Sequence, residues 1–136
     1  MGVTKSVRKG MVARHVFRME EVPLTELRPG LFGKVYPGAE MTLVRWIFQP
    51  GTPRTGMHAH TDHEQYGLVV QGRVEMQVGD EIVELGPGDI YWAPRNLPHG
   101  RTLVLGDVPA HILDIFVPAR EEYVAAAAQA ARVPQT

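Results

Sequence analysis

Turn signals punctuate this chain every few residues from Pro23 to Pro109, and that spacing leaves room only for short strands. Pro29-Gly30, Pro37-Gly38, Pro50-Gly51, Gly79-Asp80 and Gly86-Pro87-Gly88 are all combinations that favour tight reversals. Between them lie segments rich in Val, Ile, Leu and aromatics: 41–48, 65–70, 73–78, 81–85, 89–93 and 111–117. Many short strands with such turns predict an all-β antiparallel sandwich or barrel. One helix is expected at the end. Glu121 and Glu122 sit where acids favour a helix N-terminus, and 124–132 is mostly Ala, the strongest helix former. The expected division is an N-terminal arm with the first strands over 1–30, a barrel over 31–118, and a helix and tail over 119–136. The helix should pack against the barrel or a partner.

Composition narrows the function classes. The 136 residues suit a single domain. Fourteen Lys and Arg against fifteen Asp and Glu leave no basic excess for nucleic acid, so no nucleic-acid partner is expected. Without Cys, disulfides, thiolate metal sites and Cys nucleophiles are excluded. A 44% hydrophobic content can build a core. No apolar run approaches the ~20 residues of a membrane helix, so no membrane partner is expected either. Lys5, Arg8, Lys9, Arg14 and Arg18 make the start basic, and no apolar stretch follows them as a secretory signal requires. Met1 to Ser6 fits a myristoylation pattern, but the expectation is a solvated basic arm on a cytoplasmic protein.

The middle of the chain can be registered. A hairpin at Gly79-Asp80 sets Val78 opposite Glu81, Met76 opposite Val83 and Val74 opposite Leu85. A second two-residue turn at Gln71-Gly72 would set Val69 opposite Val74, Gly67 opposite Met76 and Gln65 opposite Val78, giving a three-strand meander. Its core face then reads Gln65, Gly67, Val69, Val74, Met76, Val78, Val83 and Leu85. Gln65 points inward and Glu64 outward. Leu68 and Val70 make the outer face partly apolar, as a second layer or a dimer contact would.

Three of six His, at 58, 60 and 63, fall within six residues. On a strand, His58 and His60 share a face, and two neutral imidazoles there can hold a divalent cation. Surface loop histidines are the plainer alternative. His99 follows the rigid approach Pro94-Arg95-Asn96-Leu97-Pro98, which fixes its entry into the barrel. His63 is a substitute for Gln65 as a ligand, and Glu64 another if the register slips by one. Asp114 lies in an otherwise apolar strand, and an unpaired buried carboxylate costs several kcal/mol. It therefore needs a metal, an Arg, a surface partner at a sheet edge, or a perturbed pKa with a function. Phe116 shares its face. Arg120 is a candidate cation or simply a helix-start residue. Arg54 and Arg101 are further candidates for an anionic substrate, Arg101 because it stands two residues from His99. Arg45 and Trp46 read as sheet surface and core, and His15 and His111 carry no expected role.

These residues resemble the two signature motifs of the cupin superfamily. His58-Ala59-His60, Gln65 and Gly72 match the first if Gln replaces the usual Glu; Gly88, Pro94 and His99 match the second. Asn96 stands where Gly is usual and Leu103 where a final Asn is usual. The resemblance implies a jelly-roll barrel, the double-stranded β-helix, with a metal inside. His-x-His-x4-Gln with a later His is similar to the small pectin-degradation cupins of the KdgF type. Those also carry an Asp-x-Phe-x3-Arg stretch, matched by Asp114, Phe116 and Arg120.

That resemblance implies His58, His60, Gln65 and His99 as metal ligands, with Asp114, Phe116 and Arg120 contacting substrate. It implies one divalent ion per chain, nickel, zinc, iron or manganese, and a homodimer. The implied substrate is a small carboxylate-bearing molecule, with a 4,5-unsaturated uronate opened to a linear keto sugar acid as the reaction. In that picture Arg120 pairs with the carboxylate and Asp114 moves a proton. Three imidazoles and one amide carry no charge, so a divalent cation among them would remain a good Lewis acid. A cupin dioxygenase and a non-catalytic small-molecule-binding barrel are the alternatives from other classes.

Overall fold

The computed structural model describes residues 15–132, and the myristoylation pattern and most of the basic start lie outside them. Ten strands form two antiparallel sheets. The strands are β1 (Thr25–Arg28), β2 (Leu31–Pro37), β3 (Thr42–Phe48), β4 (Met57–His58) and β5 (Glu64–Gln71), then β6 (Arg73–Val78), β7 (Glu81–Leu85), β8 (Ile90–Ala93), β9 (His99–Leu105) and β10 (Ala110–Val117). One sheet runs β1-β2-β3-β10-β5-β8 and the other β4-β9-β6-β7. This is the jelly-roll architecture that the turn spacing and motifs predict. None of the described helices is long and apolar enough to cross a membrane.

Alternation builds the core. Thr42, Val44, Trp46 and Phe48 of β3 are buried, and so are Ala110, Ile112, Asp114 and Phe116 of β10. Val69 of β5 meets Val74 and Met76 of β6 and Val104 of β9 in one cluster shared by both sheets. The helix α1 (Glu121–Arg132) lies on β1 and β2. It sends Tyr123 into the core, edge-on to Trp46 at 5.6 Å between ring centres.

The Gly79-Asp80 hairpin has the expected register, Val78 to Glu81 through Val74 to Leu85. The second turn does not close a meander. β5 pairs with β10 and β8, whereas β6 pairs with β7 and β9, so Gln71-Gly72 is a corner between the two sheets. Gly72 has φ +78°, and a Cβ there would stand 2.7 Å from the Pro109 carbonyl oxygen and 2.8 Å from Ala110 Cα. That close approach to a distant segment makes the turn a corner. The inward face survives the correction because both sheets point it at the same core: Gln65, Val69, Val74 and Met76 are buried and Glu64 is exposed.

The pairing register shifts in β1, β5 and β9, and the bulges in β1 and β9 reset the direction of side chains near the cavity. In β1 the register steps from Glu26 opposite Phe32 to Arg28 opposite Leu31, so Leu27 is an extra residue. In β9 it steps from Gln77 opposite Gly100 to Glu75 opposite Leu103, with Gly100 at φ +137° and Arg101 at φ +52°. A bulge shifts the alternation by one. Arg101 is therefore exposed and does not share the inward face of His99.

Candidate metal centre and cavity

A cavity of about 430 Å³ opens between the sheets, of a size that suits a sugar-sized molecule. His58, His60 and His99 line it, each with a ligating ring nitrogen, all within 4.8 Å of one another. His58 and His99 are cross-strand partners in β4 and β9, which sets their ring centres 4.5 Å apart. His60 follows β4, and its carbonyl is held by the Asn96 N–H at 2.7 Å. Asn96 takes φ +71°, so it fills a left-handed position where the family pattern has Gly.

Burial and neighbouring charge keep these rings neutral. Desolvation, reinforced by His99 and Arg28, pushes His58 down to about 3. Desolvation with His63 and Arg120 pushes His60 down to about 4. Burial lowers His99 as well. His99 Nδ1 lies 2.9 Å from the Leu97 carbonyl, which can only accept, so Nδ1 carries the proton and Nε2 a bare lone pair. That Nε2 is buried with no hydrogen-bond partner. Gln65 Oε1 is in the same condition. Its amide is oriented by Nε2, which donates to the Tyr91 hydroxyl at 2.8 Å. Buried acceptors without donors are costly, and a cation is one way to satisfy such atoms. Three neutral imidazoles whose ring nitrogens lie within 4.8 Å of one another, with Gln65 on the same cavity lining, fit a divalent metal.

His63 does not serve as the substitute for Gln65. Its Nδ1 faces Asp62 at 3.0 Å and its Nε2 faces Arg120 Nη1 at 3.1 Å, so both nitrogens are engaged. Glu64 is exposed and accepts a hydrogen bond from Trp92.

Asp114 also lines the cavity, on β10 between β3 and β5 and so at no sheet edge. Trp46 Nε1 donates to Oδ2 at 3.0 Å and the Tyr91 hydroxyl to Oδ1 at 2.8 Å. Those bonds favour the carboxylate, but burial outweighs them and raises Asp114 to about 7. Gly67, its cross-strand neighbour, leaves the space this group needs: a Cβ there would come within 2.0 Å of Tyr91 Cε2 and 2.6 Å of Asp114 Oδ1. Trp46, read from sequence as plain core, and Tyr91, not singled out at all, are thus the partners that hold the acid. The sequence put Trp46 in the core without any sign of that pairing, and carried no mark of Tyr91.

Phe116 and Arg120 line the wall. The Arg120 guanidinium lies over the Phe116 and Tyr123 rings and is paired with Glu122. Arg54 also lines the cavity, bound to Glu75 and the Arg101 carbonyl. Arg101 is not among the lining residues. Arg28, which sequence reasoning missed, is.

The titrations oppose one another. The depressed His58 and His60 make the unfolded chain the stronger proton binder below 6.5, so stability falls as the solution becomes more acidic. Asp114 holds its proton up to about 7 when folded and only to about 3.8 ordinarily, so it makes stability fall as pH rises through that window. Two histidines outweigh one acid. Urea unfolding in chelator should show stability rising from pH 4 to 6.5. Asp114→Asn should steepen that rise by up to about 1.4 kcal/mol per pH unit. An unchanged slope would show that Asp114 is ionised throughout.

The model of the cupin domain family matches residues 44–116, from β3 to β10. The structure of KdgF from Halomonas sp. is similar with a TM-score of 0.71 and 30% identity, covering 81% of this chain and 98% of that one. An RmlC-like cupin from Shewanella frigidimarina gives a TM-score of 0.70 and 27% identity, covering 82% and 96%. An uncharacterised protein of Methanocaldococcus jannaschii is 30% identical over 87 residues, 64% of this chain and 68% of that one. The family match spans Gln65, Asp114 and all three cavity histidines, and the chain belongs to the cupin domain family.

Proposed function

We propose that this cupin is a metal-dependent enzyme acting on a small, anionic, sugar-derived molecule, and that its reaction is the opening of 4,5-unsaturated uronates to linear keto sugar acids. The observation that carries the reading is the pairing of two features in one cavity. Three neutral imidazoles converge with two buried acceptor atoms bare, and beside them stands a carboxyl group poised near neutrality. The uronate follows from the resemblance of the His-x-His-x4-Gln and Asp-x-Phe-x3-Arg stretches to the pectin-degradation cupins of the KdgF type, a resemblance that the similarity to the Halomonas KdgF structure supports.

In this reading His58, His60, Gln65 and His99 hold one divalent ion, which when bound supplies a Lewis acid toward substrate oxygens. Asp114, half protonated near pH 7, takes the proton of the anomeric hydroxyl as the bond between the anomeric carbon C1 and the ring oxygen breaks, and returns a proton to C4 of the resulting enol, leaving an aldehyde at C1 and a ketone at C5. The change is an isomerisation and needs no co-reactant. Phe116 and Arg120 form the wall that excludes water from the acid. The outer face of the six-stranded sheet exposes Tyr66, Val70, Ile90 and Trp92, which supports a homodimer as part of the same proposal.

Elemental analysis of untagged protein tests the metal, and loss of the ultraviolet absorbance of the substrate double bond tests the reaction. About one divalent ion per chain is expected, with His58→Ala weakening its retention by roughly a hundredfold or more. Metal-free wild-type protein, or a metal-loaded protein that leaves the unsaturated uronate unchanged, would overturn the proposal.

A further inference from the structure

Three arginines and a single acidic residue, Asp114, contribute charge to the cavity lining. Two of the arginines are already committed. Arg120 is paired with Glu122 and Arg54 with Glu75. Arg28 makes no side-chain hydrogen bond and no ion pair among the described residues.

Its direction is set by the bulge in β1. Strict alternation from the buried Thr25 would turn Arg28 out with Glu26. The extra residue at Leu27 instead brings Arg28 opposite Leu31, and paired residues share a face. Leu31 also lines the cavity. The turn that follows, Pro29-Gly30, is braced by the Glu26 carboxylate, which accepts from the Gly30 N–H at 2.8 Å, with Gly30 at φ +75°. The arginine thus stands at the end of a braced hairpin, with its side chain on the cavity and half-buried. Bulges commonly re-aim one side chain beside a binding site. A partly desolvated guanidinium without a carboxylate partner is a ready acceptor of one from a ligand.

We infer that Arg28, rather than Arg120, receives the carboxylate of the substrate and so selects sugar acids over neutral sugars. The inference rests on the reading that the cavity takes a sugar acid, and it changes which residue recognises the acid group. Arg28 also lines the same cavity as His58, His60 and His99, so its positive charge repels a metal cation held among them. Removing the charge therefore has effects of opposite sign on the two ligands, whereas a collapsed cavity would weaken both.

The experiment uses the full chain and its Arg28→Gln, Arg28→Lys and Arg120→Gln variants. Calorimetry compares D-galacturonate with D-galactose on metal-loaded protein, and a chromophoric chelator measures zinc affinity. Wild type is expected to prefer galacturonate, and Arg28→Gln to lose about tenfold to a hundredfold of that preference. Zinc affinity should rise roughly two- to fivefold in the same variant. Arg28→Lys should keep part of the preference, and Arg120→Gln more of it than Arg28→Gln. A preference that survives Arg28→Gln and disappears in Arg120→Gln would overturn the inference and leave the sugar-acid reading standing. Wild-type protein that binds zinc without any preference for galacturonate would overturn both. Joint loss of zinc and galacturonate binding in Arg28→Gln would assign Arg28 a structural role and overturn the inference.

Discussion

Asp114→Asn is expected to lower turnover of the unsaturated uronate by roughly a hundred- to ten-thousandfold, the usual contribution of a positioned acid or base. Asparagine keeps the shape of the side chain but cannot carry the proton. Its amide also presents two donors to a pocket that already donates, from Trp46 and Tyr91. One donor is left facing another, at a cost of about 1–3 kcal/mol. Relief of the buried charge offsets part of this above pH 7, so the variant should fold. Asp114 is not in the donor cluster, so metal content should stay at the wild-type level. Low turnover at full metal occupancy separates the acid from the cation, and wild-type turnover at pH 7 would remove Asp114 from the chemistry.

Gly67→Ala should be strongly disruptive to the cavity wall. The new Cβ would lie 2.0 Å from a ring carbon of Tyr91 and 2.6 Å from Asp114 Oδ1. Gly67 stands in β5, flanked by β10 and β8, so its backbone has little freedom to retreat. Overpacking of this kind costs about 1–3 kcal/mol or somewhat more. At this chain length that lowers the melting temperature by roughly 5–10 °C. Tyr91 must move, and with it the bonds that orient Gln65 and Asp114, so turnover should fall by at least roughly tenfold. Gly56→Ala is the comparison, since a Cβ there meets nothing within 4 Å, and it should melt close to wild type. Equal melting temperatures for the two variants would show that the Tyr91 ring has room that the structure does not give it.

What could be read from the sequence divides along a physical line. Alternation inside a strand is local, so it gave Gln65 inward, Glu64 outward, and Phe116 on the same face as Asp114. The Gly79-Asp80 register was legible for the same reason. First strands were expected within 1–30 without bounds, and β2 and β9 were not marked, because Gly33, Pro37, Pro98 and Gly100 stand in or beside them and interrupt their apolar pattern; β4 is too short to show a pattern at all. Gln71-Gly72 has the chemistry of a hairpin, and only the packing of Gly72 on Pro109 and Ala110 makes it a corner. Both misjudged arginines have one cause. Counting by twos from His99 pointed Arg101 inward, and the bulge in β9 turns it out. The bulge in β1 turns Arg28 in, where nothing in the sequence drew notice to it. The Arg120 guanidinium, expected either to pair with a substrate carboxylate or to be simply a helix-start residue, is bonded to Glu122, two residues away at the same helix start.

The cavity donors do not belong to one layer. Gln65 stands on the six-stranded sheet, and His58 and His99 on the four-stranded sheet, with the two-residue β4 at its rim. An ion shared among them would act as a cross-brace between layers that no cysteine can staple. Its binding would then add to folding stability as RT ln(1 + L/Kd), where L is the free-ion concentration. Catalytic readiness and the cohesion of the seam would be two readings of the same bond, and a cell short of the ion would lose both together.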